Sequence, residues 1–195
     1  ILPDGRLEIP RGAFYLPRVQ AHFDGTELQD LRVEQPVQFP DFRVTLNSDQ
    51  GSILLAHQRG HRIGQRALGS HLFIAPTSAG KTIAMAALAA RLGHRTLVLC
   101  LTNQIRESWM NDLHKMFGLK RSQIGLIQQG TWKIGEQFTL ASVSTLTRRY
   151  HRWPELFDQF GTLIVDEADA FNSPNMTRFI IQCPAKNLLG ITATD

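Results

Sequence analysis

The chain has 195 residues, of which 43% are hydrophobic, so it is long enough for one α/β domain with a full core and a small additional unit. Its net charge of +4 and pI of about 9.4 are compatible with a polyanionic partner but fit any soluble protein equally well. The two cysteines lack metal-ligand neighbours and no apolar run approaches a membrane span, which argues against a disulfide framework, a cysteine metal site and a membrane partner. We therefore expect a cytoplasmic protein.

The first 50 residues differ in composition from the remainder of the chain. They contain several prolines, short mixed segments and the turn signals Asp4-Gly5 and Asp24-Gly25. These features predict a small N-terminal α/β accessory domain at residues 1–50, with a helix at residues 13–23. The main domain is predicted at residues 51–195.

Predicted strands and helices alternate along the main domain. The predicted helices lie at residues 54–68, 81–92, 105–117, 145–150 and 175–181, and the predicted strands at residues 72–75, 96–101, 124–127, 138–143, 162–165 and 188–192. Such alternation implies right-handed crossovers between parallel strands. The predicted fold class is α/β, with a mostly parallel sheet and helices on both faces.

A phosphate-binding loop is predicted between the first of these strands and the helix at residues 81–92. Loop amides and the positive end of the helix dipole can surround phosphate groups, Lys81 can reach them as a mobile cation, and the Thr82 hydroxyl can ligate Mg²⁺. Ala75 stands where the general pattern has its first glycine, but the strand, the helix and the Lys-Thr pair are all present. The predicted phosphate-binding residues are Thr77, Ser78, Ala79, Gly80, Lys81 and Thr82.

Two carboxylates follow the apolar strand at residues 162–165. Because ligands of open α/β sheets bind at the carboxyl ends of the strands, Asp166 is placed to hold Mg²⁺ and Glu167 to orient or deprotonate an attacking water. Alone, this block would be read as a solvated acidic turn. Together with Lys81 it predicts the second half of one nucleoside-triphosphate site, with Lys81, Asp166 and Glu167 as catalytic residues and Thr82 and Asp166 as metal ligands.

Six blocks in this order and spacing resemble the first RecA-like motor domain of superfamily 2 helicases, from about residue 54 to the end. Motif I is the phosphate loop and motif II is residues 166–169; motifs Ia, Ib and III resemble residues 97–103, 141–146 and 189–194, and His57-Gln58 resembles a pair that reads adenine. The resemblance implies a RecA-like P-loop fold, ATP and Mg²⁺ as cofactors, and Gln58 as a contact to the nucleotide base.

The resemblance also implies a nucleic-acid interface. In such motors, residues of motifs Ia and Ib face the strand backbone, which assigns that role to Thr102, Asn103, Ser144 and Thr145. Thr192 and Thr194 of motif III would couple phosphate chemistry to strand movement by hydrogen bonding to Asp166 or Glu167. A helix cap or a capped strand end explains each hydroxyl equally well on its own.

For two further stretches we prefer a structural role to a functional one. Residues 148–153 interleave arginines with aromatics, but a solvated helix end is favoured and they are left out of the predicted site. Trp109 and Phe117 lie on one face of a predicted helix and are expected in the core.

Residues 105–109 and 185–190 favour the DNA-acting phage recombination and branch-migration helicases within this superfamily. That resemblance implies single-stranded or branched DNA as partner, and a bacterial host cytoplasm if a phage encodes the chain. Asp169 completes the tetrad of DEAD-box RNA helicases, which keeps RNA as an alternative, and a nucleic-acid-binding module with a vestigial ATP site is the third reading. A second RecA-like domain is expected in the parent chain, because its arginines complete the charge clamp for hydrolysis; without it we expect no unwinding.

Overall fold

The computed structural model describes residues 30–59, 62–63, 66–67, 69–76, 79–149, 154–171, 173–174, 176–177, 180 and 183–193. The predicted helix at residues 13–23 lies outside this part of the chain, as does much of the predicted helix at residues 175–181. The predicted site residues Thr77, Ser78 and Thr194 lie outside it as well.

A seven-stranded sheet forms the centre of the main domain, and a separate two-stranded sheet precedes it. The strands are β1 (Arg62–Ile63), β2 (Arg66–Ala67), β3 (Ser70–Ile74), β4 (Thr96–Cys100), β5 (Gly125–Gln128), β6 (Thr131–Lys133), β7 (Phe138–Ser142), β8 (Thr162–Asp166) and β9 (Asn187–Thr192). The order in the large sheet is β3-β9-β8-β4-β7-β5-β6, and every neighbouring pair is parallel except β5 and β6. The predicted mostly parallel α/β architecture is confirmed.

Helices cover both faces of this sheet. They are α1 (Ser48–Arg59), α2 (Lys81–Leu92), α3 (Asn103–Phe117) and α4 (Val143–Arg149), with short 3-10 helices at Pro154–Gln159 and Ala168–Ala170. The central strand β4 shows the two layers, because Val98 and Cys100 pack into a core formed with α2 and α3, whereas Leu97 and Leu99 pack into a second core with α4 and residues 156–160. Its unbroken apolar sequence follows from burial on both faces.

The predicted helix at residues 54–68 is wrong at both ends. Helix α1 begins at Ser48, where Asn47 and Gln50 bond reciprocally: each side-chain oxygen accepts from the other residue's backbone N–H, at 2.9 and 3.0 Å. This exchange is a capping box. The helix ends at Arg59, and β1 and β2 form an antiparallel pair instead of a further helical turn. Two glycines in residues 60–64 explain the end, since each costs a helix about 1 kcal/mol relative to alanine.

Residues 30–47, which belong to the predicted accessory domain and precede α1, lie along the main domain. Val33 bridges to Ala185 and Pro36 to His94. Further on, the ring of Phe39 lies 5.4 Å from that of Phe138 and 6.1 Å from that of Phe117. This segment therefore closes one side of the core that α3 forms with the sheet.

Replacing Phe39 with alanine should lower the free energy of unfolding by about 2 kcal/mol, roughly half the cost of emptying a fully buried phenylalanine site, because the ring is only partly buried. Urea denaturation would measure it. Leu31→Ala is the control, since Leu31 is 59% exposed in the same segment and should change stability little. Equal effects of the two substitutions would contradict the packing described for this segment.

Candidate nucleotide site and polar cleft

The predicted phosphate loop joins β3 to α2 at the carboxyl edge of the sheet. Its first residue, Ala75, donates its backbone N–H to the carbonyl of Thr192 at 3.0 Å, which ties the loop to the end of β9. Gly80 then takes a left-handed conformation, with φ of 67°, and its carbonyl accepts from Ile83 and Ala84 in the first turn of α2. The chain thus turns directly into a helix whose amino-terminal end faces the loop, the arrangement that binds phosphates.

Lys81 is the first residue of α2 and is only 8% exposed. Its Nζ meets no hydrogen-bond acceptor among the described residues, and the nearest opposite charge is Glu167 Oε1 at 3.8 Å. A buried ammonium without hydrogen bonds is costly, so this geometry suits an anionic ligand that supplies the missing acceptors. Thr82 follows, half-buried, on the same helical turn.

Asp166 ends β8 and is also 8% exposed. Both of its carboxylate oxygens accept hydrogen bonds: Oδ2 from Trp109 Nε1 at 2.8 Å, and Oδ1 from the backbone N–H of Glu167 at 3.0 Å. Glu167 has φ of 53° and is the one non-glycine residue with positive φ in the described chain. Such a conformation is strained, and strain of this kind is concentrated at functional sites. The structure therefore brings Lys81, Asp166 and Glu167 together.

This site has the donors that Mg²⁺ requires with a nucleotide. Magnesium is usually held by one or two carboxylates together with substrate phosphates. Asp166 and the Thr82 hydroxyl are the residues that would hold it here. No group of three or more metal-ligating side chains occurs in the described ranges, so a preformed all-protein metal cage is not seen there.

A threonine at the end of β9 contacts the acidic block. The Thr192 hydroxyl donates to Asp169 Oδ1 at 2.6 Å. Sequence reasoning expected motif III to meet this block at Asp166 or Glu167; the contact is made at its fourth residue. The strand that anchors the phosphate loop is thereby also joined to the carboxylate block.

Two glutamines of α1 differ in their relation to the loop. Gln58, the predicted base contact, is exposed in the last turn. Gln50 is buried in the first turn, and its Nε2 lies 3.5 Å from the carbonyl oxygen of Gly80. Eight helical residues correspond to about 12 Å along the axis, so the two cannot occupy the same place. Sequence reasoning missed Gln50, although its capping-box spacing from Asn47 was a signal.

A polar cleft of about 420 Å³ lies where α3, α4 and the β5–β6 turn meet. Three of the four predicted nucleic-acid contacts, Asn103, Ser144 and Thr145, line it, whereas the side chain of Thr102 caps α3 by accepting from Ile105 N at 3.2 Å. The cleft is also lined by Arg106, Arg148 and Arg149, and none of its lining residues in the described chain is acidic. The sequence favours a solvated helix end for Arg148 and Arg149, but in the structure both residues line the cleft.

The Cys100 thiol is buried within range of the charges of Asp166 and of Arg106, a residue that lines the cleft. Arg106 is buried and donates from Nη1 to Asn103 Oδ1 at 2.9 Å. Burial, and secondly the charge of Asp166, raise the pKa of the Cys100 thiol to about 12, while Arg106 acts in the opposite direction.

A protein family described as type III restriction enzyme, res subunit, matches residues 44–195. The chain is 31% identical to the probable helicase D10 of Escherichia phage T5 over 115 residues, which are 59% of this chain and 24% of the relative. It is 32% identical to the DNA 3'-5' helicase XPB of Mycobacterium tuberculosis over 131 residues, 65% of this chain and 24% of that protein.

Among solved structures, the UvsW helicase of bacteriophage T4 superimposes with a TM-score of 0.65 at 15% identity, covering 98% of this chain and 76% of that one. At this identity the likeness shows the fold. The chain spans about a quarter of the length of the two curated relatives. Within the described residues, no helix combines the length and apolar character needed to cross a membrane.

Replacing Gly80 with alanine should abolish stabilisation by ATP. A Cβ there would lie 2.3 Å from Gln50 Nε2, in addition to the backbone cost of positive φ, about 1 kcal/mol. Gly93→Ala is the matched control, because Gly93 has φ of +70° and open space around its Cβ position. Thermal unfolding with and without ATP would show a lowered midpoint in both variants and a lost ATP shift in Gly80→Ala alone. An intact ATP shift in Gly80→Ala would contradict the geometry described for the loop.

Proposed function

The chain belongs to the type III restriction enzyme res subunit family and has the RecA-like fold of a superfamily 2 helicase motor domain, and we propose that it is the ATP-binding motor domain of a DNA helicase or translocase. The observation that carries the proposal is the buried ammonium of Lys81, which lies 3.8 Å from the carboxylate of Glu167, the residue after Asp166. A cleft lined by Arg106, Arg148 and Arg149 lies at the same edge of the sheet.

Each residue of the nucleotide site has a separate task in ATP hydrolysis. Lys81 and the amides of the phosphate loop would bind the β- and γ-phosphates, and the approach of oxygens to Nζ would supply the acceptors that it lacks in the described structure. Thr82 and Asp166 would hold Mg²⁺, which neutralises phosphate charge when bound. Glu167, less buried than Asp166, would orient the attacking water and accept its proton.

We propose Gln58 as the contact to the nucleotide base, as the family resemblance implies. Gln50 has a different place: its Oε1 accepts from the backbone N–H of Asn47 and its Nε2 lies 3.5 Å from the carbonyl oxygen of Gly80, so its amide supports the phosphate loop.

The cleft suits a nucleic-acid backbone. Arginines, hydroxyls and amides at helix starts contact phosphates and so position a strand without reading its sequence. Asn103, Ser144 and Thr145 share this surface with Arg148 and Arg149. We propose DNA as the strand because the XPB relative is named a DNA helicase. RNA is the alternative outcome of the experiment below.

We also propose roles for a second domain, for the N-terminal residues and for three threonines. Hydrolysis coupled to movement requires a second RecA-like domain in the parent protein, whose arginines act on the transition state. Residues 1–50 are proposed as an accessory domain, Thr102 as a further strand contact, and Thr192 and Thr194 as coupling residues. We place this activity in the cytoplasm, that of a bacterial host if a phage encodes the chain.

ATP hydrolysis by the parent protein should be stimulated by single-stranded or branched DNA, and Lys81→Met should lower it ~10²-fold or more. Because Nζ has no hydrogen-bond acceptor in the described chain, the substitution should leave the free energy of unfolding unchanged or raised. Turnover with no nucleic acid, with DNA and with RNA, together with urea denaturation, would measure both effects.

Stimulation by RNA alone would replace DNA with RNA in the proposal. Absence of turnover together with absence of ATP-induced stabilisation would leave a nucleic-acid-binding module with a vestigial ATP site.

Replacing Arg148 and Arg149 together with alanine should weaken DNA binding roughly tenfold and reduce the salt dependence of the affinity by about one phosphate contact per arginine. The control pair is Lys120→Ala with Arg121→Ala, which removes the same charge from exposed residues that do not line the cleft. Fluorescence anisotropy with labelled DNA at several salt concentrations would measure this. Equal weakening by both pairs would show that net charge, and not the cleft, governs binding.

A further inference from the structure

Trp109 lies in the middle of α3 with no solvent exposure, yet it is not merely a core residue. Its indole N–H, a donor with no acceptor function, bonds to Asp166 Oδ2 at 2.8 Å. A phenylalanine could fill much of the same space, but it could not make this bond. The tryptophan therefore gives Asp166, the residue that the proposed function assigns to Mg²⁺, a hydrogen bond that a phenylalanine could not give.

The bond from Trp109 completes the fixation of the Asp166 carboxylate. The other oxygen, Oδ1, already accepts from the backbone N–H of Glu167 at 3.0 Å. With a donor on each oxygen, rotation of the carboxylate about its terminal bond breaks at least one hydrogen bond. Such bonds to a charged group are strong in a buried setting. The two donors leave each oxygen with further lone-pair capacity for a cation.

The indole belongs to the same helix that lines the polar cleft. Asn103 is at the first position of α3 and Arg106 lies one turn before Trp109, and both line the cleft. Because a helix moves as a rigid element, the position of the indole is set by the same body that carries these two cleft residues. Trp109 thus joins the cleft-forming helix to the carboxylate by a direct bond.

We propose that Trp109 is a positioning residue for the metal–nucleotide site, which acts through Asp166 by fixing the direction of its carboxylate. This assignment rests on the proposed function, because it requires that Asp166 hold Mg²⁺ beside a bound nucleotide. Partners of this kind behind a metal ligand typically change metal affinity 10- to 100-fold when they are removed.

The test is Trp109→Phe in the 195-residue chain, which keeps a buried ring and removes the N–H. Binding of a fluorescent ATP analogue is measured without Mg²⁺ and across a Mg²⁺ titration. We expect unchanged affinity without Mg²⁺ and a 10- to 100-fold higher half-saturating Mg²⁺ concentration. Phe117→Leu is the control, because it alters a buried aromatic on the same helix and should lower the melting temperature without changing the Mg²⁺ requirement.

Asp166→Ala, alone and combined with Trp109→Phe, shows whether the tryptophan acts through the aspartate. Adding Trp109→Phe to Asp166→Ala should change the Mg²⁺ requirement no further, and an additive loss would overturn the assignment. If the wild type binds nucleotide normally and Trp109→Phe leaves the Mg²⁺ requirement unchanged, the role of Trp109 is overturned but the proposed function is not. A wild-type chain that binds no nucleotide would overturn the proposed function and this assignment together.

A second measurement does not depend on the variant folding. In the wild type with ¹⁵N-labelled indoles, ATP with Mg²⁺ should shift the N–H resonance of Trp109 more than that of Trp132, and ATP without Mg²⁺ should shift it less. A Trp109 resonance unmoved by saturating ATP with Mg²⁺ would contradict the proposed role.

Discussion

The parallel register of the large sheet is the constraint on which both sites depend. It aligns Ile74 of β3 with Thr192 of β9, and Asp166 of β8 with Ile191, so that the strands end at one edge. The phosphate loop, the acidic pair and motif III consequently meet without any long loop to bring them together. Strands β5 and β7 run parallel to these and contribute to the polar cleft at the same edge. The positions of the two sites relative to each other are thus properties of the sheet.

The buried ammonium of Lys81 lowers the stability of the folded chain at the nucleotide site, because it lacks hydrogen-bond acceptors among the described residues. Its position opposite Glu167 at 3.8 Å provides a partial charge balance but no hydrogen bond. Asp166 is treated differently, because the protein itself supplies donors to both carboxylate oxygens. The Lys81 ammonium therefore needs a ligand to supply its hydrogen-bond acceptors, whereas the Asp166 carboxylate is already oriented by the protein before any ligand binds.

The sequence predicted those parts of the structure that depend on residues close together in the chain. The apolar run of β8, the loop before Lys81 and the carboxylates after the strand each carry their own signal. The helix at residues 54–68 was wrong because apolar spacing continued past a glycine-rich stretch, and the exchange between Asn47 and Gln50 that starts α1 was not recognised. Contacts between distant residues had no local signal at all: nothing near Trp109 indicates that its indole reaches Asp166. Arg148 and Arg149 did carry a local signal, but an exposed arginine at a helix end and one that lines a cleft look alike in a sequence, so the solvated helix end was preferred.

The position of β9 has a consequence for how the protein is made. This strand is the last of the described chain, yet it inserts between β3 and β8, and in the described sheet it is the only neighbour of β3. Its pairing of Ser70 with Leu188 closes one of the longest loops in the domain, which is slow because the entropy of closure is lost before the contacts form. During synthesis, β4, β7 and β8 can pair with one another before β9 is made, and β3 has no strand of the described sheet to pair with until then. The hydrogen bond from Ala75 to Thr192 that anchors the phosphate loop can therefore form only after β9 has been synthesised.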